Sequence, residues 1–257
     1  MPLGAHNNRK RLGNPTGKPC RGAGWIGSAI VLASLMLCRS ALAQAQPTGR
    51  PPDTMEARLL ACAACHGRQG EGTKNDYFPR LAGKPAGYLT NQLVAFRDGR
   101  RRYPPMNYLL EYQSDSYLQK IAEYFAALRP PLVPQAAADV SPAVLARGRA
   151  LVTAGDQSHG VPACSGCHGP KLTGMETGVP GLVGLHASYI SAQLGAFRYG
   201  TRTAPAPDCM QLVAASLTES DVTAVAAWLA SLPIPFDPSP VARGTLPMPF
   251  ACGSEPN

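Results

Sequence analysis

Two short runs, Cys62-Ala63-Ala64-Cys65-His66 and Cys164-Ser165-Gly166-Cys167-His168, carry the most reactive side chains of this 257-residue chain. Two thiols separated by two residues at a helix end can form thioethers to the two vinyl groups on one edge of a porphyrin. The next residue then presents its imidazole to the iron, so the C-x-x-C-H spacing points to covalent haem attachment at each run, two haem c groups in all. Gly67 and Gly169 come next and let the chain turn away beneath the macrocycle. Paired cysteines also serve as redox dithiols or, with both pairs together, as a zinc site. Neither explains a histidine directly after each second cysteine, and a redox dithiol belongs beside a βαβ pattern that this sequence lacks.

A haem iron held by histidine needs its sixth ligand from the opposite side of the ring, hence from a residue distant in sequence. Met106 lies 40 residues after His66 and Met210 lies 42 after His168, each behind a Pro-containing loop. A single methionine is usually core filler, but two at equivalent places read as thioether ligands. Met175 is too near His168 to cross the ring, Met55 and Met248 have no counterparts, and His159 and His186 are the alternative ligands of the second run. The carbonyls of Pro79 and Pro180 are expected to accept the Nδ1–H of His66 and His168, fixing each ring and raising its basicity. Arg97 and Arg198, followed by Arg101 and Arg202, stand where a helix meets a loop, either to donate to haem propionates or as a solvated basic face.

The elements that must hold these residues come in duplicate, and a fixed internal repeat is the first thing to seek in a chain of this length. Cys65-His66-Gly67 matches Cys167-His168-Gly169, and the run from Tyr88 to Arg97 pairs without a gap with Tyr189 to Arg198. Met106 to Leu128 and Met210 to Leu232 are equally long. Helical periodicity appears over 55–64, 86–98 and 117–128, with counterparts over 143–154, 187–199 and 219–232. Ser114 or Ser116 can cap the third of these, and Thr218 with Asp221 forms a capping box for the last. No stretch alternates long enough for a sheet. The reading is all-α: two tandem domains of about three helices, 53–130 and 141–233, joined by a proline-rich linker over 131–140 and followed by a proline-rich tail over 234–257. Copies this small, with this much loop, hold little apolar core of their own, and a haem would serve as that core. Tyr124 and Trp228 occupy matching places on the last helices and are read as packing against it.

Residues 1–43 have the order of a cleaved signal peptide: Arg9, Lys10, Arg11, Lys18 and Arg21, then an apolar run from Trp25 to Leu37, then Ala41-Leu42-Ala43. That run is short for a bilayer, which takes roughly 20 residues, although an uncleaved anchor is the alternative. Cleavage would leave 18 basic residues against 16 acidic ones, so the charge of +8 belongs mainly to the leader and does not indicate nucleic-acid binding. Export places the chain in an oxidising periplasm. With Cys20 and Cys38 in the leader and four cysteines on haem, Cys209 and Cys252 remain, most simply as a disulfide; two free thiols or a crosslink between chains are the other outcomes.

These residues resemble class I cytochromes c. The run from Leu81 to Gly99, repeated from Leu182 to Gly200, is especially similar to the dihaem cytochrome c4 family and its single-domain c553 relatives. The resemblance covers about residues 53 to 232. It implies two haem domains packed face to face, carrying electrons from a respiratory complex or dehydrogenase to a terminal oxidase, with redox proteins as partners and a membrane-associated complex left open. The alternatives are a cytochrome subunit of a periplasmic dehydrogenase and a dihaem peroxidase. A peroxidase needs one iron open, against which the paired methionines argue. The chain departs from the family pattern at Gly155 to Gly160, in the tail after Leu232 and in the extra cysteines.

Overall fold

The computed structural model describes residues 52–136 and 138–255, so the expected leader over 1–43, with Cys20 and Cys38, lies outside the described residues. The first copy contains α1 (Met55–Arg58), α2 (Leu60–His66), α3 (Ala86–Arg97), α4 (Pro104–Leu110) and α5 (Asp115–Ala127). The second contains α6 (Pro142–Thr153), α7 (Cys164–His168), α8 (Ala187–Arg198), α9 (Cys209–Ser216) and α10 (Glu219–Ala230). A single 3-10 turn, Gln157–His159, precedes α7. Five of the six expected helices are present; the one expected over 55–64 is broken at Leu59 into α1 and α2, and the additional short helices α4, α7 and α9 carry the two methionines and the second pair of cysteines. Two-residue strands β1 (Gly174–Met175) and β2 (Val179–Pro180) pair antiparallel, and Val241 of the tail bridges to Met175. Pieces this short carry no readable alternation.

Each copy has its own apolar core. In the first, Leu118, Ile121, Ala122 and Phe125 of α5 recur at helical spacing and pack with Leu89 and Phe96 of α3. In the second, Leu151 and Val152 of α6 meet Val225, Ala226 and Leu229 of α10 beside Ile190 of α8. Burying one such leucine contributes roughly 1.5–3 kcal/mol. Helix starts are chemically marked. Ser114 accepts from Tyr117 N at 3.3 Å, and Thr218 with Asp221 forms the reciprocal capping box that starts α10. Asp221 also accepts from Arg147 Nε of α6 at 2.8 Å, tying the cap of one helix to the flank of the other.

The linker has no helix or strand over its described residues, 131–136 and 138–140, and proline stiffness is only part of the reason. Arg80 donates to the Pro131 carbonyl at 2.9 Å and also to that of Pro130, while Gln135 donates to the Gly184 carbonyl at 3.1 Å. The two copies meet along α3 and α8 and the loops that follow them. There Arg102 N donates to Thr201 O at 2.9 Å and Thr203 N to Arg100 O at 2.8 Å, with Arg101 opposite Arg202 in an antiparallel bridge.

Candidate haem sites

Both C-x-x-C-H runs close a helix on their histidine, and Gly67 and Gly169 then turn the chain with φ of 84° and 85°, a conformation a side chain would strain. His66 and His168 are each 8% exposed. Nδ1 of His66 lies 2.8 Å from the Pro79 carbonyl, and Nδ1 of His168 lies 2.8 Å from that of Pro180. A carbonyl can only accept, so the proton sits on Nδ1 and the Nε2 lone pair is left for a metal. Burial lowers both imidazole pKa values and the proline carbonyls oppose it, which favours the neutral ring that ligates.

Burial pushes the thiols of Cys62 and Cys167 upward and that of Cys164 up to about 11. A redox dithiol needs the opposite shift. Among the described residues no group of three or more His, Cys, Asp or Glu is placed to hold a metal, so the two pairs do not build one shared zinc site.

In the second copy a cavity opens beside His168, lined by Cys164, Cys167 and Met210, with Leu182, Ile190, Leu194, Phe197 and Val213 among its walls. Met248, set aside for want of a repeat partner, lines the same cavity from the tail. The position of that tail was not legible in the repeat. Met175 is a buried core residue, and Met55 packs against the first core. His159 pairs with Asp156 at 3.1 Å and His186 with Asp76 at 3.4 Å, and neither lines the cavity. Tyr124 and Trp228 are partly buried against their respective cores.

Met106 and Met210 sit in the first turns of α4 and α9 rather than in open loop, and each is braced differently. Beside Met106, Asn107 accepts from Tyr103 N at 2.9 Å and donates to the Arg101 carbonyl at 2.9 Å and to that of Phe96. Beside Met210, Asp208 accepts from Ala204 N at 2.7 Å and from Gln211 N at 3.0 Å, and Cys209 is bonded to Cys252. The expected disulfide is present.

Arg97 donates to Asp98, Asp115 and the Gln113 carbonyl, and Arg198 to the Leu217 carbonyl. The guanidinium groups that reach the interface are the next pair. Arg101 donates to Gln92, Tyr189 and Gln193, and Arg202 to Gln193, Tyr88 and Gln92, over distances of 2.8–3.1 Å. Arg101 stacks on Phe96 at 4.5 Å and Arg202 on Phe197 at 4.3 Å. Sequence reading missed the glutamines and tyrosines because their role depends on one copy facing the other, although their matched places in the repeat were the available signal.

These residues fit a haem. The cavity is largely apolar, has two thiols in its lining, and reaches Lys84, Tyr88 and Arg202 at the interface. Neither Arg101 nor Arg202 has a carboxylate partner among the described residues, and Arg202 Nε is buried with no partner there. An amphiphilic ring that ends in two carboxylates would satisfy both features.

Comparison with known proteins agrees with this geometry. Residues 57–124 and 145–233 match the family model for cytochrome c. The thiosulfate dehydrogenase electron acceptor of Thiomonas intermedia is 38% identical over 68% of this chain and 79% of its own length. Cytochrome c4 of Pseudomonas aeruginosa is 38% identical over 69% of this chain and 86% of its own. The crystal structure of reduced cytochrome c4 from Pseudomonas stutzeri superposes with a TM-score of 0.61 and 34% identity, covering 69% of this chain and 96% of that one.

Proposed function

The chain belongs to the cytochrome c family and is an electron-transfer protein with two covalently attached haems; we propose that His66 with Met106, and His168 with Met210, hold the two irons. When bound, each haem would supply a one-electron Fe(III)/Fe(II) couple, and ligation by a thioether would raise its potential. Cys62 and Cys65, and Cys164 and Cys167, anchor the rings. Pro79 and Pro180 orient the imidazoles, and the interface pair Arg101 and Arg202 neutralises carboxylates between the copies. Arg97 and Arg198 support the ligand loops from behind, through Gln113 and Leu217. The observation that carries this reading is the repeated arrangement of a buried histidine whose Nδ1 meets a proline carbonyl, completed in the second copy by Met210 in an apolar cavity.

In this reading the domains run over 53–130 and 141–233, and residues 1–43 direct export to the periplasm and are removed. Electrons arrive from a periplasmic dehydrogenase and leave toward a respiratory oxidase. A relative named as the electron acceptor of thiosulfate dehydrogenase supports a dehydrogenase as donor. It equally favours a second reading, in which the chain is the cytochrome subunit of such an enzyme.

Mass spectrometry of the exported protein should show two haem additions and loss of the leader, with one addition lost in a Cys164→Ala/Cys167→Ala variant. Its visible spectrum should show a c-type haem with the iron–methionine charge-transfer band. Carbon monoxide should bind one haem in Met106→Ala and the other in Met210→Ala. A single haem addition, or bands unchanged in both variants, would overturn the assignment.

A further inference from the structure

The repeat breaks at one position that bears directly on the second site. Lys84, from the first copy, sends its ammonium into the second and donates to the Gly181 carbonyl at 3.0 Å. Gly181 directly follows Pro180, whose carbonyl meets His168 Nδ1 at 2.8 Å. A cation of one copy thus stands one peptide unit from the group that orients the other copy's histidine, and it lines the same cavity as His168 and Met210. The residue equivalent to Lys84 in the second copy is Leu185, which is buried and apolar. The residue equivalent to Gly181 is Arg80, whose guanidinium turns away to the carbonyls of Ala82, Pro130 and Pro131. Arg101 and Arg202 occupy matched places; Arg100, opposite Thr201 in the repeat, also lines the cavity but pairs with Asp98 at 3.6 Å, so Lys84 is the unmatched cation there with no carboxylate partner among the described residues.

We propose that Lys84 tunes the second haem from across the interface, raising its reduction potential. This rests on the assignment of His168 as an iron ligand. While protonated, Lys84 would oppose the ferric state of a nearby iron more than the ferrous one, and a poorly solvated site screens that effect little; burial, with Arg80, Arg202 and Arg101, lowers the Lys84 pKa and Tyr88 opposes them. Lys84 is a positioning and tuning residue, and it touches backbone rather than the iron.

The test is a spectroelectrochemical titration of the intact two-haem protein, its Lys84→Gln and Lys84→Arg variants, and a Met210→His variant that marks which wave belongs to the second haem. Glutamine keeps a donor for Gly181 and loses the charge; arginine keeps the charge. In Lys84→Arg the wave of the second haem should stay near its wild-type potential. Lys84→Gln should lower that wave while the first wave moves less and the iron–methionine bands persist. Intact bands with unmoved potentials, or equal shifts of both waves, would overturn the tuning role alone. Absence of the methionine band in wild type would overturn the ligand assignment and the proposal with it.

Discussion

Asn107 does for the first methionine what no single residue does for the second: its one amide group satisfies Tyr103 N and the carbonyls of Arg101 and Phe96, closing the loop that delivers Met106. Removing a side chain with several partners leaves backbone groups unpaired, at about 1–3 kcal/mol each where they are buried. Asn107→Ala should therefore weaken the iron–methionine band by about half, since only one of two haems loses its brace, and admit carbon monoxide at that haem. An unchanged band and an unchanged melting temperature would remove Asn107 from the account. The residue is Gln211 in the other copy, one methylene longer, where Asp208 braces the loop instead. The cysteine, histidine, methionine and proline positions were legible because each is fixed by local spacing that the repeat shows twice. Asn107 was not, because an asparagine beside a proline-rich loop reads as an ordinary turn residue.

Among the helices, α6 and α10 approach most closely where Gly148 faces Ala224. A Cβ on Gly148 would lie 2.1 Å from the Ala224 carbonyl and 2.8 Å from Trp228 Cβ, so the contact is backbone against backbone and no rotamer change relieves it. Overpacking of this kind costs about 1–3 kcal/mol, and against a rigid backbone contact it outweighs the roughly 0.8–1 kcal/mol that alanine gains over glycine in helix propensity. Gly148→Ala should lower the melting temperature by several degrees, and Trp228 fluorescence should report the displacement. A stabilised variant would show that the helices slide apart freely. The long helices were legible from apolar periodicity, and the α10 capping box from Thr218 and Asp221. The small helices α4 and α9 and the β1–β2 hairpin were not. Runs of two to eight residues hold too few turns or alternations to register, and tertiary contacts decide their form.

At the scale of the whole molecule, the two copies depend on segments outside both of them. The tail after α10 is anchored at several points along its described length: Val241 bonds to Gly174 and Glu176, Glu255 accepts from Thr177, Asn91 of the first copy donates to Ser254, and Met248 and Phe250 line the second cavity. None of this was legible from composition, because proline-rich segments signal extension without naming what they lie against. The leftover cysteine pair was the one clue, and the Cys209–Cys252 bond fixes this tail to the turn that carries Met210. The bond closes a span of 43 residues, for which chain-entropy arguments give about 2–4 kcal/mol. That stabilisation acts on the second copy alone, since α4 has no cysteine and Met106 is held by Asn107. Cys252→Ser should thus lower the melting temperature and weaken methionine ligation at the second haem, leaving the first haem's band and potential in place. Mild reduction of the wild-type protein should reproduce the effect, since thioether bonds to haem are not cleaved by thiols. Equal loosening of both haems would show that the tail stabilises the molecule through the interface and not through the ligand turn; no loosening would show that Met248, Phe250 and Glu255 hold the tail without the bond.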